Sequence, residues 1–287
     1  MIERRRVHRL AGFTLAASCA MLVMGLAEWL GATPFMTILG SEPDLLAVTG
    51  GVLFDLGSLL AGNCTMGLLA SLTNGELWRS ASIMTMVAAS LLLGPSMSRA
   101  ALMLPMRPLI PLPLTGHASL ALTVGGILAM VAGTYIYRRI GWRPPRGGWS
   151  PLIGMSLVGA ALGILFALDR HWVFTSRIAE IAYGRMAATP GPILGLMVLV
   201  AGMVAAVTAG GTFRISRGNL RNWTRAALGG LLMGVGATLV PGGNDAMLFT
   251  GVPLLLPNLL VGYAAFIATL FVGLLLRNKA AKHPRAT

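Results

Sequence analysis

The chain has 287 residues, of which 55% are hydrophobic and only 11% charged, against roughly 25% charged in a soluble domain. So few charges cannot cover the surface of a water-soluble protein of this size. The net charge of +13 is carried by residues lying between long apolar runs, so it points to membrane topology and anionic headgroups and away from nucleic acid.

The N-terminal Arg4-Arg5-Arg6 followed by an apolar run over 10–30 imitates a signal peptide. No small-x-small cleavage site follows before further apolar sequence, so a retained first helix is expected. Leu15-Ala16-Ala17-Ser18-Cys19 resembles a lipoprotein cleavage box only faintly. About 20 apolar residues carry a helix across the hydrocarbon core. Further runs at 45–72, 80–98, 118–137, 150–168, 191–210, 226–240 and 257–276 bring the expected segments to about eight. The runs are continuous rather than alternating, so the fold class is an all-α polytopic membrane protein. No linker divides it, and 1–287 reads as one transmembrane domain with a first half to about 140 and a second from about 150.

Orientation follows from Lys and Arg. With a cytoplasmic N-terminus and eight crossings, seventeen of the 22 basic residues fall inside. They cluster at Arg4–Arg9, Arg79, Arg138–Arg146, Arg214–Arg225 and Arg277–Arg285. Arg99, Arg107, Arg170, Arg177 and Arg185 fall outside, as an anion funnel or as ordinary loop solvation. This asymmetry places both termini in the cytoplasm. Trp29, Trp78, Trp142, Trp149, Trp172 and Trp223 lie near segment ends, as an aromatic belt requires.

Two stretches depart from simple crossings. The run at 45–72 is too long for one span and is punctuated by Gly50, Gly51, Gly57, Gly62, Asn63 and Gly67. The nominal outside loop 241–256, PGGNDAMLFTGVPLLL, is too apolar for solvent. Both read as broken or re-entrant helices, tolerated at membrane depth where backbone lines a cavity. They also resemble each other. Gly50-Gly51-Val52-Leu53-Phe54-Asp55-Leu56-Gly57 aligns with Gly229-Gly230-Leu231-Leu232-Met233-Gly234-Val235-Gly236. Each runs on into a break, Gly62-Asn63-Cys64 and Gly242-Gly243-Asn244-Asp245. On the topology above the copies start on opposite sides, forming an inverted repeat, which points to a transporter's substrate site. The competing reading is that glycine-rich helices look alike because glycine permits close packing.

Candidate residues cluster at these breaks. Cys64, flanked by Gly62, Asn63 and Thr65, offers a soft contact to a sulfur-bearing substrate, or is a small buried hydrophobe. Cys19 has no special context, and two distant cysteines make neither a disulfide framework nor a metal pattern. Asn63 and Asn244 can donate to an anion or cap broken helices. Asp55 and Asp245 are intramembrane carboxylates, usually functional or paired; Asp245 caps the following segment or couples protons. Glu28 and Glu76 read as interfacial. With no Walker A, HExxH or GxSxG sequence, neither ATP-driven transport nor an enzyme is indicated. No cofactor or metal is expected.

With both breaks quoted, the sequence resembles the YeeE/YedE sulfur-transport family. GGVLFDLGSLLAGNCTMGLLASLTNGELW and GGLLMGVGATLVPGGNDAMLFTGVPLLLPNLLVGY carry the resemblance over about a quarter of the chain. The resemblance implies an hourglass-shaped helical protein whose two breaks meet at a narrow centre. It further implies a transporter or facilitator of a small sulfur-containing anion such as thiosulfate. Substrate contact through thiols carries over to Cys64 only, because Gly243-Asn244-Asp245 stands where many members have a second Gly-Gly-Cys. The expected site is Gly62, Asn63, Cys64 and Thr65 with Gly242, Gly243, Asn244 and Asp245. A thiolate would repel an anion, so Cys64 is expected to act as a neutral thiol. The alternatives are a membrane-embedded sulfur-handling enzyme working with a cytosolic sulfur carrier, and a structural subunit of a membrane complex. Glycine-rich faces also suit a homo-oligomer.

Overall fold

A computed structural model describes residues 2–31, 40–103, 108–109, 118–140, 151–168, 191–211, 213–240 and 242–282. Each of the eight apolar runs carries helix. In chain order these are α1 (Ile2–Trp29), α2 (Leu45–Ala61), α3 (Thr65–Thr73), α4 (Ser80–Met103), α5 (Ala118–Ile140), α6 (Pro151–Leu168), α7 (Gly191–Ala209), α8 (Leu220–Leu239), α9 (Gly243–Ala246) and α10 (Pro257–Lys282). A 3-10 turn at Leu77–Arg79 precedes α4, and a π turn at Met247–Gly251 follows α9. The one extended ladder among the described residues pairs Gly40–Ser41 with Pro108–Leu109.

The helices outrun several apolar stretches. α8 starts at Leu220, six residues before its apolar run, because Asn219 caps it there by accepting from the Asn222 N–H at 2.9 Å. Asp44 starts α2 in the same way, accepting from Ala47 N–H at 2.7 Å. Such a cap satisfies a backbone donor that has no partner within its own helix.

Among the described residues, three helical stretches are long and apolar enough to cross a membrane: Gly12–Trp29, Leu45–Thr73 and Pro257–Leu276. Leu220–Leu239 with Gly243–Gly251, bent by 44°, makes a fourth if the pair is one span. Shorter apolar helices occupy Leu77–Leu93, Leu120–Tyr135, Ile153–Phe166 and Ile193–Ala209. Leu128, Met197, Val198 and Leu276 expose their side chains. Large apolar groups on helix surfaces are expected of a chain whose solvent is lipid.

The chain forms two compact units, and each takes residues from both halves of the sequence. The first comprises 1–42, 107–173 and 247–260. There α1 packs against α5 and α6. The second comprises 43–106, 174–246 and 261–287. Its core is Phe54, Ala61, Leu68, Met86, Met233 and Phe266.

In the second unit α2 crosses α8 without intervening side chains. A Cβ on Gly57 would lie 2.5 Å from the Gly229 carbonyl, and one on Gly236 would lie 2.7 Å from the Gly50 carbonyl. The seven-residue glycine spacing is the same in both helices, so the contacts pair reciprocally with the helices antiparallel. Backbones this close gain dispersion contact that bulkier residues would prevent.

Candidate functional site

The first break is built by Gly62. It closes α2 in the left-handed region at φ 82°, with its N–H donating to Ser58 O at 2.8 Å. A side chain would strain this backbone. Asn63 and Cys64 then cross to α3, with Cys64 at its N-cap in extended conformation. The chain thus turns out of one helix and into another within three residues.

Arg79 fastens the end of α2. Its Nη1 donates to the Ala61 carbonyl, one of the carbonyls a helix end leaves without a partner. Its Nε donates to Glu76 Oε2 at 2.9 Å, and its guanidinium lies 3.8 Å over the Trp78 ring. Glu76, read from sequence as interfacial, is therefore the partner of Arg79.

The second break follows α8. Val240 ends that helix in extended conformation, and Gly242 and Gly243 have φ values of 89° and 61°. A Cβ on Gly243 would meet Phe54 Cε2 at 2.8 Å, so the glycine lets α9 press onto the Phe54 ring. This contact brings the two breaks into one polar cluster within the second unit.

In that cluster the Thr65 hydroxyl donates to Asp245 Oδ1 at 3.4 Å. Both residues are buried, as is Asn244. The half-buried Cys64 is a free thiol. Its sulfur lies close to the Gly67 backbone and to the Asn244 side chain. Asn63 Nδ2 donates to Ser71 Oγ at 2.8 Å and to Gly67 O at 3.4 Å. Those bonds tie Asn63 to α3, the capping behaviour expected of an amide at a helix start.

All eight residues expected at the breaks therefore lie in the second unit. The Thr65–Asp245 bond joins one break to the other, and Asn244 lies beside Cys64 across them. Tyr263 was not among the expected residues, yet it lies in the electrostatic neighbourhood of Cys64. Its ring stacks on Phe266 with centroids 6.1 Å apart. The available signal was a phenol six residues into a largely apolar span.

Asp55 lies outside this cluster. It is fully buried in α2, and neither carboxyl oxygen has a hydrogen-bond partner among the described residues. Cys19 is buried in α1, as an ordinary small apolar residue would be. Of the outer arginines, Arg107, Arg170, Arg177 and Arg185 lie outside the described residues. Arg99 falls in α4. Among the described residues no group of acidic, His and Cys side chains could hold a metal ion.

Long apolar helices around a small buried polar cluster define a helical membrane protein with a candidate solute site at paired helix breaks. A family model for sulphur transport matches residues 1–274, and the chain belongs to that family, the YeeE/YedE sulphur transport family. A search of curated proteins finds no match.

Proposed function

We propose that this chain is a transporter or facilitator that moves a small thiosulfate-like anion across the inner membrane, through a pathway at the two breaks. The observation that carries this reading is the placement of the free Cys64 thiol at the first break, next to the Thr65 that bonds Asp245 of the second. A terminal sulfur of the anion is soft and polarizable, and so is the thiol it would meet. Asn244 donates to the oxyanion end. The first-turn N–H groups of α3, at the positive end of its dipole, replace part of the anion's hydration.

Asp245 would repel an anion if it faced one. Its bond from Thr65 gives it a different task in this reading: it fixes α9 against the start of α3. Asn63 reaches the anion only by giving up a bond to Ser71 or Gly67, so it holds the shape of the site and Asn244 does the donating.

The eight-crossing, inverted-repeat arrangement is part of the proposal. Its support is the reciprocity of the glycine contacts. Gly50 and Gly57 meet Gly236 and Gly229, while the neighbouring Gly51 abuts the Gly262 backbone and Gly230 abuts the Ser82 backbone. Each copy thus uses its first glycine on the other copy and its second on a third helix.

The test is uptake of radiolabelled thiosulfate into proteoliposomes. A sulfur contact or one neutral hydrogen bond is worth about 0.5–1.5 kcal/mol. Cys64→Ala should therefore slow uptake roughly 2–10-fold while the protein stays monodisperse. Uptake that ignores the substitution removes Cys64 from the pathway. No uptake by folded wild type would reject thiosulfate as the cargo.

A further inference from the structure

The carboxyl of Asp55 has no role in the cluster just described, and its setting is unusual. It sits in the Leu45–Thr73 span at 0% exposure, with both oxygens unpartnered. An ionised carboxylate with no partner in such a place is among the most costly arrangements a membrane protein can hold. A carboxyl kept there without a structural partner needs another reason to be there.

Neighbouring residues on the same helix row fix which way it faces. Gly51, one turn before, abuts the Gly262 backbone, and Leu59, one turn after, abuts Gly273. Asp55 therefore faces the stretch of α10 between them. In that stretch the titratable residue is Tyr263. On the opposite side, α8 carries its charged residues, Arg221 and Arg225, in its first turns, before the glycine crossing begins at Gly229. α4 offers Arg99 far along its length, and α3 carries no titratable residue. The remaining groups lie at the break: Cys64, Asp245, and the Arg79–Glu76 pair, whose guanidinium is held on the Ala61 carbonyl. At a rise of about 1.5 Å per residue, Gly62 lies about 10 Å along α2 from Asp55. Among the described residues no cation bonds to Asp55.

The inverted repeat sharpens the point. Gly234 stands where the second copy would have its counterpart of Asp55, and a Cβ there would meet Ala89 Cβ at 2.7 Å. In the second copy that site is filled by close helix packing. In the first it holds a carboxyl.

We propose that Asp55 is a proton-binding site coupled to anion movement, taking up a proton when the anion loads and releasing it after delivery. The O–H bond forms with a proton from the loading side and breaks to return it to the other side, with no electrons exchanged. The chemical logic is charge compensation. An anion entering a cell with a negative interior moves against the membrane potential, and each proton that travels with it cancels one charge. The coupling rests on the thiosulfate reading, whereas proton binding by Asp55 stands without it.

The first measurement is infrared spectroscopy of the purified protein in lipid. Wild type should show the C=O stretch of a protonated carboxylic acid, shifted in D2O and titrating with pH. Asp55→Asn should lack it. If wild type has no such band, or Asp55→Asn retains it, the proposal is overturned. If Asp55→Asn does not fold, Asp55→Glu makes the same assignment: the band should shift in frequency with the changed carboxyl, and an unshifted band overturns the proposal. The second measurement is thiosulfate uptake with and without an inward proton gradient. Wild type should accelerate several-fold with the gradient, whereas Asp55→Asn should run at one rate regardless and Asp55→Glu should regain the response. Uptake by wild type that ignores the gradient, or by Asp55→Asn that still follows it, overturns the coupling. An infrared band at Asp55 without any thiosulfate uptake would locate the failure in the choice of cargo.

Discussion

Cys64 draws its meaning from its neighbours. Elsewhere in an apolar helix a cysteine is a small hydrophobe, as Cys19 is in α1. At the first break, Cys64 lies beside the Gly67 backbone and an amide, Asn244, from the other half of the chain. Tyr263 extends that neighbourhood. Its phenol can donate to an anion at the thiol, while the ring is held by stacking on Phe266. Tyr263→Phe keeps the stack and removes the donor, so uptake of thiosulfate should fall roughly 2–10-fold, as for one lost hydrogen bond. Thermal stability in detergent should change little. Unchanged uptake would make the residue a packing element alone. Glycine, asparagine and cysteine at one break marked the candidate site in the sequence, because each has few reasons to sit in a span. The Tyr263 contribution was not legible there. It depends on how α10 packs against α2, and sequence separation conceals that.

At the scale of the element, the stability of the first break rests on Arg79. Its guanidinium joins the end of α2, the acidic Glu76 and the Trp78 ring. Arg79→Ala would release the Ala61 carbonyl and Glu76 together. Losing a charged hydrogen bond costs about 1.5–3 kcal/mol, so a clear fall in Tm is expected. Arg79→Lys should recover only part of it, since an ammonium lacks the planar fork that serves two acceptors. In sequence Arg79 was one more cytoplasmic charge, because its partner at Ala61 is eighteen residues away. Glycine-rich crossings were more legible, and they give a sharper contrast. Gly57→Leu drives a side chain into the Gly229 carbonyl and Met233, so overpacking of at least about 1–3 kcal/mol should broaden or abolish the monodisperse peak on size exclusion. Gly202, with nothing within 4 Å of its Cβ position, should accept alanine with a change within about 0.5 kcal/mol. Equal tolerance at both positions would deny the close crossing of α2 and α8.

For the whole molecule, the existence of each helix was readable because apolar runs of this length have few alternatives in lipid. Their ends were not, since a helix continues past its apolar stretch wherever a cap allows it, as Asn219 does for α8. Which segments share a compact unit was also hidden, because α2, α8 and α10 meet across most of the chain. The basic residues carry the remaining global property, the direction in which the chain is threaded. The segment before α8 displays Arg214 and Arg217, with Arg221 and Arg225 exposed on the helix itself. It is held in place by backbone pairing with 74–77: Arg214 N–H donates to Asn74 O at 3.0 Å, and Leu77 N–H to Ser216 O at 2.9 Å. Arg79 follows directly, so two basic segments that are distant in sequence lie side by side. The positive-inside rule predicts a cytoplasmic position for such a cluster. With Cys19 and Cys64 replaced by serine, a cysteine introduced at the exposed Arg217 should resist a membrane-impermeant maleimide in intact cells and react once the membrane is opened. Labelling of intact cells would reverse the orientation of the whole chain. The substrate would then enter the breaks from the opposite face, and the outer arginines would lose their place as a funnel.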